Sequence, residues 1–233
     1  MTIERNDPFL ERLSVLETGQ ISDVLDEAGL VNHALSSDLF ALIPGQRFAG
    51  RAACLKGEPF VQGRTQKASV AADTMERITR PGTVLVIEAG DFQAGALLGG
   101  FVAYSLQQRG CTAIVTDGAI RDADEIRELG LQCVQRTITP VNGARRWRQT
   151  VAGETVRLPG QTCARVEIRD GDYVVGDGDG VVVIPAAVVG QIVEDTEELL
   201  RIEKKIGTEL RAGGARHDVF KANPRFAHIR SAI

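Results

Sequence analysis

The run from Thr83 to Gly130 constrains this chain more than any other. Strand-like and helix-like segments alternate in it at short intervals. Thr83-Val-Leu-Val-Ile87 is a short, apolar, β-branched run that follows Pro81-Gly82, as a buried strand requires. Leu98, Val102 and Leu106 then recur at every fourth position, with Phe101 beside them, which is helical spacing. Ala113-Ile-Val-Thr116 is a second strand-like run and ends at the turn signal Asp117-Gly118. The segment Glu125 to Glu128 reads as a helix that stops near Gly130, a residue suited to a C-cap. Strand, helix and strand at this separation predict a parallel, right-handed βαβ unit. The Gly99-Gly100 loop and the Arg121-Asp122 pair then leave the carboxyl ends of neighbouring strands, where open α/β sheets bind ligands.

Those residues suggest a chemistry. Free N–H groups at the start of a helix over 99–106 can hold an anion. Gly99 and Gly100 let a ligand approach the main chain. Arg121 offers a planar fork that matches a carboxylate, and Asp122 offers a hard oxygen ligand for Mg²⁺ or Mn²⁺. An anion cradle, a fork and a metal carboxylate together suit a small α-keto acid. The same Arg-Asp pair also reads as a tight turn that caps the following helix, and the residues alone leave both readings open.

The surrounding segments carry a resemblance. Gly100 is followed after twenty residues by Arg121-Asp122, and then after two more by Glu125. GGFVAYSLQQRG, AIVTDGAIRD, IRELG and the later GDYVVGDGDGVVVIP complete the pattern. From about Val15 to Leu210 the chain resembles the RraA-like family, which includes the 4-hydroxy-4-methyl-2-oxoglutarate aldolases. The resemblance implies one α/β domain over 1–233, of swivelling β/β/α architecture similar to phosphohistidine domains, with a C-terminal helix and tail over 186–233. It implies a divalent-metal-dependent lyase that releases pyruvate from 2-oxo acids and decarboxylates oxaloacetate. Arg121 and Asp122 would be catalytic. Gly99, Gly100, Phe101, Val102 and Arg121 would bind substrate, and Asp122 would hold Mg²⁺ or Mn²⁺. The family further implies a homo-oligomer, a trimer or a pair of trimers, in which an acid of the C-terminal helix reaches a neighbour's metal site. One departure stands out: many aldolases of the family carry an acid where this chain has Gly100. The family also includes protein-binding inhibitors of RNase E, in which the Arg-Asp pair is not kept intact, so Asp122 favours the enzyme. A lyase acting on a sugar acid is a further reading of the same site. A methyltransferase reading finds no support, because the chain has no G-x-G-x-x-G loop.

Composition narrows the partners. A net charge of −4 argues against a nucleic-acid partner held by bulk electrostatics. Cys54, Cys111, Cys133 and Cys163 show no C-x-x-C spacing, which predicts reduced thiols in a cytoplasmic protein rather than a disulfide frame or zinc site. MTIERNDPFLERL does not read as a signal peptide. No apolar run reaches the ~18 residues of a membrane span.

Other residues carry weaker signals. Helices are expected over Pro8–Leu16, from a cap at Thr18 or Ser22, and over Ala68–Arg80. None of His33, His217 and His228 falls in the motif, so an ordered water would shuttle the proton. Lys67 could form an imine, but no apolar run brackets it to depress its pKa. Asp91 could orient a metal-bound water or cap the glycine loop. Arg145, Arg146, Trp147 and Arg148 read as a surface edge or subunit contact rather than an RNA site. Asp177 and Asp179 lack the bidentate Glu and spacing of an EF-hand and fit a tight β connection. Pro185 would open a long helix with Glu194, Glu197, Glu198 and Glu203 mainly off its apolar stripe. The tail from His217 shows no clear periodicity.

Overall fold

A computed structural model describes residues 7–60 and 69–232. Helices α1 (Pro8–Ser14) and α2 (Thr18–Glu27) come first, then strands β1 (Phe40–Ala41) and β2 (Phe48–Pro59). The short helix α3 (Thr74–Ile78) precedes β3 (Thr83–Glu88), β4 (Ala96–Leu98), α4 (Gly100–Gln108), β5 (Cys111–Thr116), β6 (Ala119–Ile120) and α5 (Ala123–Leu129). After these come β7 (Gln132–Gln135), β8 (Thr137–Ile138), β9 (Trp147–Ala152), β10 (Val156–Pro159), β11 (Arg165–Ile168), β12 (Tyr173–Gly176) and β13 (Val181–Ile184). Helices α6 (Val189–Arg211) and α7 (Arg216–Ala222) follow.

The predicted βαβ unit sits at the centre of an eight-stranded mixed sheet ordered β1-β7-β5-β3-β2-β12-β13, with β9 also paired to β2. The run β2, β3, β5 and β7 is parallel, and the flanking pairs are antiparallel. Strand alternation divides the core. Val84 and Val86 of β3 face a two-stranded hairpin, β10–β11, whose Val156, Leu158, Val166 and Ile168 are buried against them. Leu85 and Ile87 face the other way, onto Ala103 and Leu106 of α4 and Ile126 of α5. Hairpin, sheet and helices therefore form the β/β/α layers of the expected α/β fold. A third apolar cluster packs Tyr173, Val175, Val182 and Ile184 under α1, α2 and α6. Among the described residues no helix is long and apolar enough to cross a membrane.

Several local expectations are corrected. The N-cap of α2 is Glu17, in a capping box with Gln20, while Ser22 bonds His33 instead. Of the helix expected over Ala68–Arg80, Ala68 lies outside the described residues and the rest shrinks to α3, because Val70 lies beside β9, its N–H donating to the Gln149 carbonyl at 3.3 Å. Pro185 does not open α6. The Ala186 N–H is taken by the Asp172 carboxylate at 2.9 Å, and the helix starts at Val189. The tail forms α7 and folds back, with Arg225 paired to Asp23 and Glu203.

Candidate active site

The sheet's central strands do not end where their apolar runs end. The chain leaving β3, β5 and β7 breaks and resumes as β4, β6 and β8, which pair in parallel as a second, three-stranded sheet. Helix α4 starts at the end of β4, and α5 at the end of β6. The two loops predicted to converge thus meet at the carboxyl edge of the small sheet, beyond the end of the large one.

Asp122 precedes α5 in a left-handed conformation, with φ 57° and ψ 42°. That turn swings its carboxylate toward α4, where the Gly100 N–H donates to Oδ2 at 3.0 Å. Arg121 Nε lies 3.4 Å from the same oxygen, and both side chains are about one-third exposed. The Arg121 N–H is tied to the Leu98 carbonyl at 3.2 Å, which fixes the two loops against each other. The expected anion cradle is therefore partly filled by the protein's own carboxylate. The N–H groups of Phe101 and Val102, next in the first turn of α4, have no intrahelical acceptor. The Phe101 side chain is 90% exposed, so it does not line an enclosed pocket.

At both glycines a side chain would displace a neighbouring carboxylate. A methyl group on Gly99 would overlap the Asp122 carboxylate and crowd Arg121, and one on Gly100 would overlap the Glu125 carboxylate. Glu125 thus occupies the space that a side chain at position 100 would take. A Gly99→Ala protein is expected to fold, because φ is −141° there, yet to lose on the order of 10²-fold in kcat, because Arg121 and Asp122 must both move. Steady-state kinetics beside a thermal melt would check it; unchanged kcat would mean that the pair has room to spare.

Among the described residues no three His, Cys, Asp or Glu side chains converge on one point. The donor set is Asp122, with one oxygen engaged by Gly100 and Arg121, and Glu125 packed close by. Such a set fits Mg²⁺ or Mn²⁺, which take one or two carboxylates and keep several waters; it does not fit a zinc cage.

The other candidates fall elsewhere. His33 is buried and structural, bonded to Ser22 Oγ at 2.8 Å and to the Leu30 carbonyl at 2.6 Å. Lys67 lies outside the described residues. Asp91 pairs its carboxylate with Arg165, and its N–H donates to the Asp117 carboxylate. Trp147 is buried and Arg148 pairs with Glu58 at 2.7 Å, so the basic cluster is no stacking platform. Asp177 receives the Thr18 N–H and hydroxyl at 2.8 and 2.6 Å and anchors α2. A cavity of about 520 Å³ opens near Thr18, Ser36 and Asp179 and is lined by none of the Arg121 group. Sequence reasoning read Asp117 only as a turn residue and did not single out Arg165. These two meet at 3.0 Å beneath the site, a contact that only the hairpin's docking creates.

Known proteins resemble the chain in sequence and in fold. The sequence profile described as "RraA-like: Aldolase/RraA" matches residues 18–183. A protein of Paraburkholderia phytofirmans, provisionally named a 4-hydroxy-4-methyl-2-oxoglutarate aldolase, is 33% identical over 153 residues, covering 64% of this chain and 87% of its own. A Halalkalibacterium halodurans protein with the same provisional name is 32% identical over 177 residues, covering 76% of each chain. Among solved structures, Streptomyces coelicolor RraAS2, described as an unusual member of the RNase ES inhibitor RraA family, superposes with a TM-score of 0.74 at 26% identity, covering 87% of this chain and 98% of its own.

Proposed function

The chain belongs to the RraA-like family, and on that premise we propose that it is a divalent-metal-dependent lyase that cleaves 4-hydroxy-4-methyl-2-oxoglutarate-like 2-oxo acids to pyruvate. One observation carries the reading: Arg121 and Asp122 stand side by side at the start of α4, with Asp122 held by the Gly100 N–H. The names of the two aldolase relatives support the same class.

In this reading Asp122, aided by waters and the neighbouring Glu125, would hold Mg²⁺ or Mn²⁺, which would supply Lewis acidity to the substrate. Arg121 pairs with the substrate carboxylate and stabilises charge on the enolate as the carbon–carbon bond breaks. The proton passes through an ordered water. The same enolate chemistry decarboxylates oxaloacetate. The reading includes a homo-oligomer, a trimer or hexamer, in which an acid of α6 serves a neighbour's site. Within one chain Glu194, Glu197 and Glu203 already pair with Arg230, Arg12 and Arg225, so an acid lent in this way would exchange partners on assembly. The competing reading, a protein-binding regulator, has a relative's description behind it, whereas the intact Arg-Asp pair supports catalysis.

The deciding experiment incubates the purified protein with Mg²⁺ and a panel of 4-hydroxy-2-oxo acids and oxaloacetate, and follows pyruvate. Release is expected, lost with excess chelator and restored by Mg²⁺ or Mn²⁺. Full turnover in chelator would overturn the reading and bring imine chemistry at Lys67 back into view.

A further inference from the structure

Beneath the site a buried carboxylate joins the two chain segments that carry its halves. Asp117 follows β5 and is fully buried. Its Oδ1 accepts the Ala89 N–H at 2.6 Å, and its Oδ2 accepts the Asp91 N–H at 3.0 Å. Ala89 and Asp91 belong to the break between β3 and β4, which leads to Gly99. Asp117 itself belongs to the break between β5 and β6, which leads to Arg121. The side chain therefore bonds across from the Arg121 segment to the Gly99 segment at the point where both leave the large sheet.

The surroundings leave little slack. Thr116 Oγ donates to the Ile87 carbonyl at 2.9 Å and accepts the Gly118 N–H at 3.0 Å. A methyl group on Gly118 would overlap Leu97 and Ala89. Asp91 is held at φ 58°, left-handed like Asp122. The counter-charge comes from the hairpin: Arg165 Nη1 donates to Asp117 Oδ2 at 3.0 Å, and Nη2 pairs with the Asp91 carboxylate. Burial pushes the Asp117 carboxyl up, against the hydrogen bonds from Ala89, Asp91 and Arg165, while the nearby Asp91 charge adds to the rise.

We infer that Asp117 and Arg165 are positioning residues that hold the glycine half and the Arg-Asp half of the site in register. Neither touches Arg121 or Asp122; they act through the segments that lead there. The kinetic consequence rests on the lyase reading, whereas the coupling of the two segments does not.

The test compares Arg165→Met, Asp117→Asn and their double variant. Arg165→Met strands a buried carboxylate. It should lower both the melting temperature and kcat, the latter by about 10²-fold, since small misplacements of reacting groups have effects of that size. KM should change by less than about threefold, because Arg121 still meets the substrate carboxylate. The double variant removes the stranded charge, so its melting temperature should rise above that of Arg165→Met, though the Asn amide accepts only one of the two N–H groups and keeps it below the parent. Its kcat should stay low, because the cross-segment hydrogen bonds are still impaired. Recovery of kcat together with melting temperature would overturn the inference and leave the pair a purely structural one. Hydrogen exchange supplies a readout independent of turnover. In Asp117→Asn the amides of 89–100 and 117–123 should lose protection together, while those of β12 and β13 keep theirs; loss in only one of the two segments would also overturn it. If Arg165→Met does not fold, Arg165→Lys, which lacks the two-pronged fork, gives the same comparison in milder form. Coupled loss of protection in a protein that turns over no 2-oxo acid would sink the lyase and leave the register intact.

Discussion

Asp122→Asn is expected to lower kcat/KM by at least ~10³-fold and to abolish Mg²⁺ binding, with the fold unchanged. The size follows from the several kcal/mol that a bound dication contributes to a developing negative charge, at tenfold for each ~1.4 kcal/mol. Asparagine suits the test better than alanine. The residue sits at φ 57°, a conformation that Asn tolerates, and its side-chain oxygen can still accept the Gly100 N–H. Alanine would add ~1–2 kcal/mol of left-handed strain and leave that N–H without its partner, so lost activity would be confounded with lost structure. Kinetics, Mg²⁺ titration by calorimetry and a thermal melt together decide it. Wild-type turnover in the Asn protein would reduce Asp122 to a helix-start residue.

Arg121→Lys comes next in expected effect, at about 10- to 100-fold in kcat/KM, from the ~1.5–3 kcal/mol of a hydrogen bond to a charged group. A methyl group on Gly99 would lie 2.9 Å from Arg121 Cγ and Nε, so the stem of this side chain runs along the glycine loop. A lysine can follow the same path and keep its charge, losing only the fork. Both KM and kcat should worsen, since the group serves the bound carboxylate and the enolate alike. Unaltered kinetics would leave Arg121 only as the ion-pair partner of Asp122.

The periodic segments were legible in the sequence. Thr83–Ile87, Ala113–Thr116 and the helix after Gly99 became β3, β5 and α4, because β-branched runs and fourfold spacing are local signals. The convergence of Gly100 with Arg121-Asp122 followed from the handedness of the βαβ unit. The small sheet was not legible: β4, β6 and β8 are two or three residues each, too short for any period to show. The pairing of Asp91 was not legible for a related reason. Its partner Arg165 lies on a hairpin far along the chain, and sequence separation hides such a contact. Pro185 gave a helix-start signal, but it opens only a single turn, with the Val188 N–H on its carbonyl, before α6 begins at Val189.

The break in each central strand divides the inheritance of this protein into two ledgers. Val84, Ile114 and their neighbours on the large sheet govern how long the fold lasts, and they can drift among apolar residues of similar volume. In the proposed lyase, substrate choice falls to the rim of the small sheet, in the few positions that follow Leu98 and Ile120. On that reading a change at the rim alters what is bound and leaves the large sheet's packing untouched.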